Sequence, residues 1–393
     1  MPRAAGRLQG ITLLLPSGLS IMAIVTLVPS LPLLLDHFHD LPGAAYRVPI
    51  LLTAPAACLV IASPLAGWLA DRLGRRPLLL AAMAIYALVG SLPLLLDSYW
   101  PILASRIALG FVEAAVLTVS TTLIGDFFHG PERARWLSYQ IGVASIFATT
   151  LIWAGGALSA FGWRGPFAIY GLALPMLAAV ALFTWEPPSP APRAATLQPA
   201  DPFPWRSMAG FVAVTLFASI LFYFVLIQLP LMLAALGMPP SATSGMWLSV
   251  VSFGVTLGTL LFNRLHRLRR PHCLALALLV MAGSFAAMSL AATIPYLIAA
   301  ATINQVGAGI LMPTLLTWST NSLPHHFRGR GIGIWQGAFS LGQFLMPILV
   351  VAVSGASDGI GGTLRLFAAA AFLAAVLAAI LPRFIGARPV GAS

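Results

Sequence analysis

Two ionisable residues, Arg106 and Glu113, stand seven positions apart inside one apolar stretch of a 393-residue chain. On a helix that spacing brings them within about 20° of one face and separates them by roughly 10 Å along the axis. An ionised side chain at the centre of a membrane helix costs about 2.5–3.5 kcal/mol on insertion scales, so a retained pair points to function. Arg does not release its proton at accessible pH. A transferable proton therefore belongs to Glu113, with Arg106 either biasing that carboxyl or holding an anion. The pair is expected to present a positive point above a negative one towards a common cavity. The structural alternative is that each bonds polar neighbours between helices.

A second cluster lies between two long apolar runs, where Asp71, Arg72, Arg75 and Arg76 place four charges in six positions, flanked by Gly67 and Gly74. The glycines permit close backbone approach and a tight turn. Charge at this density suits a short wetted loop, and Asp126 and Glu132 are available to pair with Arg72 or Arg75. Neutral polar residues at mid-depth form a third group: Tyr139, Gln140, Thr149, Tyr223, Gln228, Asn304, Gln305, Gln336 and Gln343. With Phe222, Trp318 and Trp335 they suggest a cavity rich in aromatic and amide groups, suited to an amphipathic organic molecule. Hydrogen bonding between helices is their other use.

The elements that must position these residues follow from composition. The chain is 59% hydrophobic and 8% charged, with a mean hydropathy of +0.94, which excludes a soluble globular domain. About 20 apolar residues cross a bilayer core as a helix. Leu8–Leu35, Val48–Ala70, Pro77–Leu96, Trp136–Trp163 and Gly165–Trp185 contain no Asp, Glu or Arg. Ser98–Gly125 is interrupted only by Arg106 and Glu113, and Gly331–Ser357 and Leu366–Pro382 follow later. Ser207–Asn263 and Pro271–Phe327 are each about twice one span. Each is bounded by Arg and carries an internal break, at Gly237-Met238-Pro239-Pro240-Ser241 and at Thr293-Ile294-Pro295. The total is twelve helices.

All 21 basic residues are Arg. Alternating the spans puts 17 of them on one side, leaves Arg47, Arg164 and Arg365 on the other, and sets Arg106 within the membrane. The excess predicts that both termini are cytoplasmic. The net charge of +11 therefore reports topology rather than a nucleic-acid partner. The chain also repeats itself. Leu69-Ala70-Asp71-Arg72-Leu73-Gly74-Arg75 returns in worn form as Leu261-Phe262-Asn263-Arg264-Leu265-His266-Arg267, and Arg133-Ala134-Arg135 returns as Arg328-Gly329-Arg330. Between the halves, Glu186–Arg206 contains seven prolines and no apolar run, which reads as a linker. The expected organisation is an N-terminal six-helix bundle over 1–185, a cytoplasmic linker over 186–206 and a C-terminal bundle over 207–393. Parallel repeats of this kind place a substrate site near the midplane between them.

Other chemistries find no support. Cys58 and Cys273 both fall inside apolar runs, so neither a disulfide framework nor a metal site follows. Gly355-Ala356-Ser357-Asp358-Gly359 matches a serine-hydrolase elbow, yet it lacks the strand–turn–helix setting and a nearby His. With no Lys in the chain, a phosphate-binding loop is missing too. The chain is expected not to be an enzyme and to need no cofactor, with a proton gradient as its energy source.

Gly67 to Arg76 resembles the loop 2–3 signature of the major facilitator superfamily, and Arg106-Ile107-Ala108-Leu109-Gly110 resembles that superfamily's fourth-helix signature. The resemblance covers essentially the whole chain. It implies an all-α integral membrane protein of twelve transmembrane helices, in two six-helix bundles related by a pseudo-two-fold axis. It also implies that Asp71 faces the N-terminus of the eleventh helix near Gly331, within a gate formed by Gly67, Asp71, Arg72, Gly74, Arg75, Arg76 and Asp126. Drug/proton antiporters of the superfamily carry Gly-Pro before Gly-Gly on the fifth helix. Here Gly155-Gly156 is present, but Leu151-Ile152 stands in place of Gly-Pro, and the first helix holds no acidic residue before Asp36. The expected protein is a monomeric secondary transporter in a bacterial inner membrane. It would export a small amphipathic compound in exchange for protons, with Glu113 and Arg106 coupling the two. The alternative is an organic-anion or metabolite symporter in which Arg106 binds a carboxylate, since the run from Arg106 to Glu113 also resembles the fourth helix of superfamily symporters.

Overall fold

In a computed structural model, residues 6–187, 205–265, 270–321 and 328–380 are described. Most of the expected linker lies outside them. So do the side chains of Arg206, Asn263, Arg270, Arg328 and Arg330. Twelve helices are long and apolar enough to cross a bilayer. They are α1 (Arg7–His37), α2 (Ala44–Leu73), α3 (Arg75–Leu94), α4 (Tyr99–Phe127), α5 (Gly130–Phe161) and α6 (Gly165–Phe183) in the first half. The second half holds α7 (Met208–Ala235), α8 (Ala242–Phe262), α9 (Pro271–Ser289), α10 (Ile294–Trp318), α11 (Gly331–Ala356) and α12 (Gly359–Ile380). No strand occurs among the described residues.

Helices are the form a lipid environment imposes, because each pairs its own backbone donors and acceptors within one segment. Both double-length stretches divide where their break signals stand. The first turns at Gly237, whose φ of 85° is one that side chains with a Cβ rarely adopt; the second turns just ahead of Pro295. Prolines shape several spans from inside. Span α1 is assembled from shorter helical pieces, with Pro16 and Pro29 at their starts, and Pro49, Pro55 and Pro64 lie within α2. Large apolar side chains remain uncovered on the outside, among them Leu88, Leu182, Phe372 and Leu373. A surface like this belongs against lipid.

The two halves pack alike. Within the first, α2 lies on α4, α3 on α4 and α6, and α1 on α4 and α5. Adding six to each number gives the second half's contacts: α8 on α10, α9 on α10 and α12, and α7 on α10 and α11. The seams obey the same rule, since α2 meets α11 and α5 meets α8. The last turns of α1 also touch α7. One end of the bundle carries the Asp71–Arg76 loop and is called here the arginine-rich end.

Candidate functional site

At the arginine-rich end, Gly74 takes a φ of 89° to turn the chain from α2 into α3. The first turn of α3 has unpaired N–H groups, and Glu186 supplies their partner. Its two carboxylate oxygens accept from the backbone N–H of Arg75 and of Arg76, each at 2.7 Å. Arg76 reaches on to the Ala181 carbonyl with Nη2 at 2.7 Å. Arg75 forms an ion pair with Asp126 at the end of α4 and lies 3.8 Å from Asp71. Arg72 stacks over Trp68, 4.0 Å from the ring centre. The loop charges thus fasten α2, α3, α4 and the end of α6 within one half. Reading the sequence as a linker from residue 186 onward missed Glu186. A carboxylate directly after an apolar span was the available signal, because helix N-termini favour anions.

The Asp71 side chain is 74% exposed, with Arg75 of its own half as its ion-pair partner among the described residues. At mid-depth α2 and α11 approach closely, so that a Cβ added at Gly337 would lie 3.5 Å from Val60. Further towards the arginine-rich end, a Cβ at Gly67 would meet nothing within 4 Å. A cavity of about 810 Å³ occupies this parting, lined by Ser63, Pro64, Leu117, Gln336 and Ser340 among others. A second, of about 560 Å³, lies between α1 and α5 beside Arg7, Glu132, Arg135, Trp136 and Tyr139.

At the opposite end, α5 and α8 meet backbone to backbone, beside a cavity of about 450 Å³ lined by Trp153, Met246 and Phe253 among others. A Cβ added at Gly156 of α5 would sit 2.5 Å from Gly245 Cα and 2.8 Å from the Ser241 carbonyl oxygen. Only glycine allows the backbones of α5 and α8 to come this close. Deeper along the same seam, Ser249 Oγ donates to the Thr149 carbonyl at 2.9 Å. Ser357, of the hydrolase-like pattern, sits in the turn between α11 and α12, where Asp358 pairs with Arg365 at 3.1 Å. That setting is helix to helix, with no elbow.

Between the two ends lies a cavity of about 220 Å³, formed by α1, α5, α7, α8 and α10. Of the expected cavity residues, Tyr223 and Gln305 line it, joined by Thr149 and Phe222. Gln336 lines the large cavity and Tyr139 the one beside α1. The remainder serve elsewhere. Gln140 donates to Thr121 at 3.2 Å and Asn304 to Ser284 at 2.9 Å, both bonds tying neighbouring helices within one half. Gln228 is buried and lines none of these cavities.

Arg106 and Glu113 do not present themselves to a common cavity. Arg106 is fully buried inside the first half, where its Nη2 donates to the carbonyls of Gly90 (2.9 Å) and Val89 (3.3 Å) near the end of α3. Its guanidinium also lies over the rings of Tyr170 (4.9 Å) and Phe167 (5.1 Å) of α6. The C-terminal carbonyls of a helix and aromatic faces both attract a cation; Nη1 is buried without a partner among the described residues, and Arg106 lines none of the cavities described. Glu113 is 1% exposed, forms no ion pair with Arg106, and has Oε2 without a partner among the described residues. It lines none of the cavities described.

Two matched six-helix bundles around a mid-depth cavity, one end parted and the other in backbone contact, form a fold of membrane transporters. The family model described as Major Facilitator Superfamily matches residues 13–265 and 211–390, and the chain belongs to that superfamily. Among curated relatives, the class G tetracycline resistance protein of Vibrio anguillarum is 32% identical over 168 residues, 41% of each chain. The bacillibactin exporter of Bacillus subtilis (strain 168) is 30% identical over 112 residues, 27% of each. The matched stretch thus spans about two fifths or less of these relatives' length. Among solved structures, a D-xylose–proton symporter superposes with a TM-score of 0.75 at 17% identity, covering 94% of this chain and 96% of the other. A bacterial homologue of the human lysosomal transporter Spinster, inward-facing and occupied, also gives 0.75 at 17% identity, over 96% and 95%. At such identity they speak for the fold alone.

Proposed function

We propose that this protein is a monomeric, proton-coupled secondary exporter of a small amphipathic organic compound, working by alternating access. It would lie in a bacterial inner membrane with the arginine-rich end and both termini in the cytoplasm. The observation that carries the reading is the asymmetry of the two ends. Backbone contact between Gly156 and Gly245 closes one end, while cavities of about 810 and 560 Å³ open the other. Such a state receives a molecule from the cytoplasm or its bilayer leaflet and awaits the switch that releases it outside. The relatives named for tetracycline resistance and bacillibactin export are consistent with this direction. Glu113 is the proposed proton carrier, as a carboxyl buried within a span with an oxygen left unpartnered among the described residues. The bonds of Arg106 Nη2 to carbonyls of its own half weigh against the symporter alternative, in which Arg106 would bind a carboxylate.

The test uses proteoliposomes holding an imposed pH gradient, with tetracycline, benzamide and benzoate offered in turn. Dissipation of the gradient by tetracycline or benzamide in wild type, and its loss in Glu113→Gln, is the expected result. Equal proton movement in Glu113→Gln removes that residue as carrier. Movement with benzoate alone, above that in protein-free liposomes, favours the organic-anion symporter instead.

A further inference from the structure

Ser20 of α1 and Gln305 of α10 line the mid-depth cavity, one from each half, and Ser20 Oγ and Gln305 Nε2 are buried with no partner among the described residues. Gln305 is 2% exposed, and a buried donor left unpaired costs about 1–3 kcal/mol. Natural interiors keep few such atoms, and those they keep call for a ligand or bound water. The remaining lining is hydroxyl, aliphatic or aromatic, without a single Asp, Glu, Arg or His. The rings of Phe222 and Tyr223 meet edge to face at 4.9 Å and 82°.

We infer that this cavity binds an uncharged, flat organic molecule that bridges the two halves by hydrogen bonds to the Ser20 and Gln305 side chains. The inference rests on the transporter reading above and names the substrate class for it. An ion entering here meets no counter-charge on the walls, and unpaired charge is far more expensive to bury than an amide or hydroxyl. Glu113 does not line the cavity. The volume of about 220 Å³ falls below the roughly 300–1,000 Å³ usual for drug-sized ligands, which suits one or two rings. Because the two polar grips belong to different halves, a bound molecule joins them and is set free when they part.

Three isosteric probes separate charge from shape: benzamide, benzoate and benzamidinium share one planar frame. Calorimetric titration of the full-length protein in detergent is expected to give benzamide about tenfold tighter binding than either ion. Ser20→Ala and Gln305→Leu should each weaken benzamide several-fold, and Gln305→Glu should turn the preference towards benzamidinium. Thermal midpoints of each variant identify a change that merely unfolds the chain, and Ser20→Ala removes a single oxygen if Gln305→Leu does so. Tighter or equal binding of an ion by wild type overturns the inference. So does unchanged benzamide affinity in the folded Ser20 and Gln305 variants, or no benzamide binding at millimolar concentration. Flux on the same preparations keeps the two readings apart. Benzamide binding without any flux overturns transport and leaves the site, whereas flux of tetracycline without benzamide binding does the reverse.

Discussion

Arg106 carries the only positive charge deep inside the described spans, and its surroundings are made for it. Two carbonyls at the end of α3 and two ring faces of α6 take up its guanidinium. Replacing it by Gln leaves those carbonyls without a cationic donor. The expected loss is about 1.5–3 kcal/mol, the worth of hydrogen bonds to a charged group, seen as a lower thermal midpoint in detergent. An Arg106 that instead bound substrate would leave stability nearly unchanged and abolish ligand affinity. Glu113 contrasts with it: a buried carboxyl with an unpartnered oxygen has no fold-building bond to lose. Glu113→Gln is therefore expected to hold or raise the thermal midpoint while removing pH-gradient-driven flux. A fall in midpoint matching that of Arg106→Gln would make Glu113 a structural residue.

Two element-level devices set the state of the bundle. Glu186 fastens the N-terminus of α3 to the end of α6 through both carboxylate oxygens. Glu186→Ala should cost about 1 kcal/mol, the size of a lost helix cap, measurable as a shifted denaturation midpoint, and unchanged stability would show that water substitutes fully. The glycine contact between α5 and α8 is the second device. Gly156→Leu drives a side chain into the Gly245 backbone, so the shut end must part. The expected readout is faster labelling of a cysteine placed at Ser241 by a membrane-impermeant maleimide, with labelling at Gly67→Cys slowed. The apolar period of α5 and α8 would not have disclosed this contact. Gly155-Gly156 was legible as a small-residue pair, but its partner Gly245 lies 89 positions away.

At the scale of the whole molecule, the parted and shut ends require that some contacts present here belong to one state only. Asp71 is three-quarters exposed and 3.8 Å from Arg75, an arrangement worth about 0–1 kcal/mol at a surface. Asp71→Asn should therefore leave the thermal midpoint of this state unchanged while slowing flux, as expected if the carboxylate docks on α11 only when the arginine-rich end closes. Full flux in Asp71→Asn removes that role. The number of spans, their breaks, the arginine asymmetry and the half-repeat were all readable in the sequence, because lipid imposes its demand locally: about 20 apolar residues per crossing and charges kept to the loops. Which way each helix turns its polar residues was not readable. Spans such as α4 and α10 are apolar nearly all round, so no solvent-facing side marks their rotation. Arg106 and Glu113 share a face by spacing, yet the packing of α3 and α6 claims the first with two carbonyls and two ring faces and leaves the second buried with an oxygen unpartnered among the described residues. In the same way Gln140 and Asn304 became ties between helices, and Gln305 came to line the cavity. Local solvation wrote the topology into the chain; only the meeting of distant helices, where desolvated polar atoms find or lack partners, decided the site.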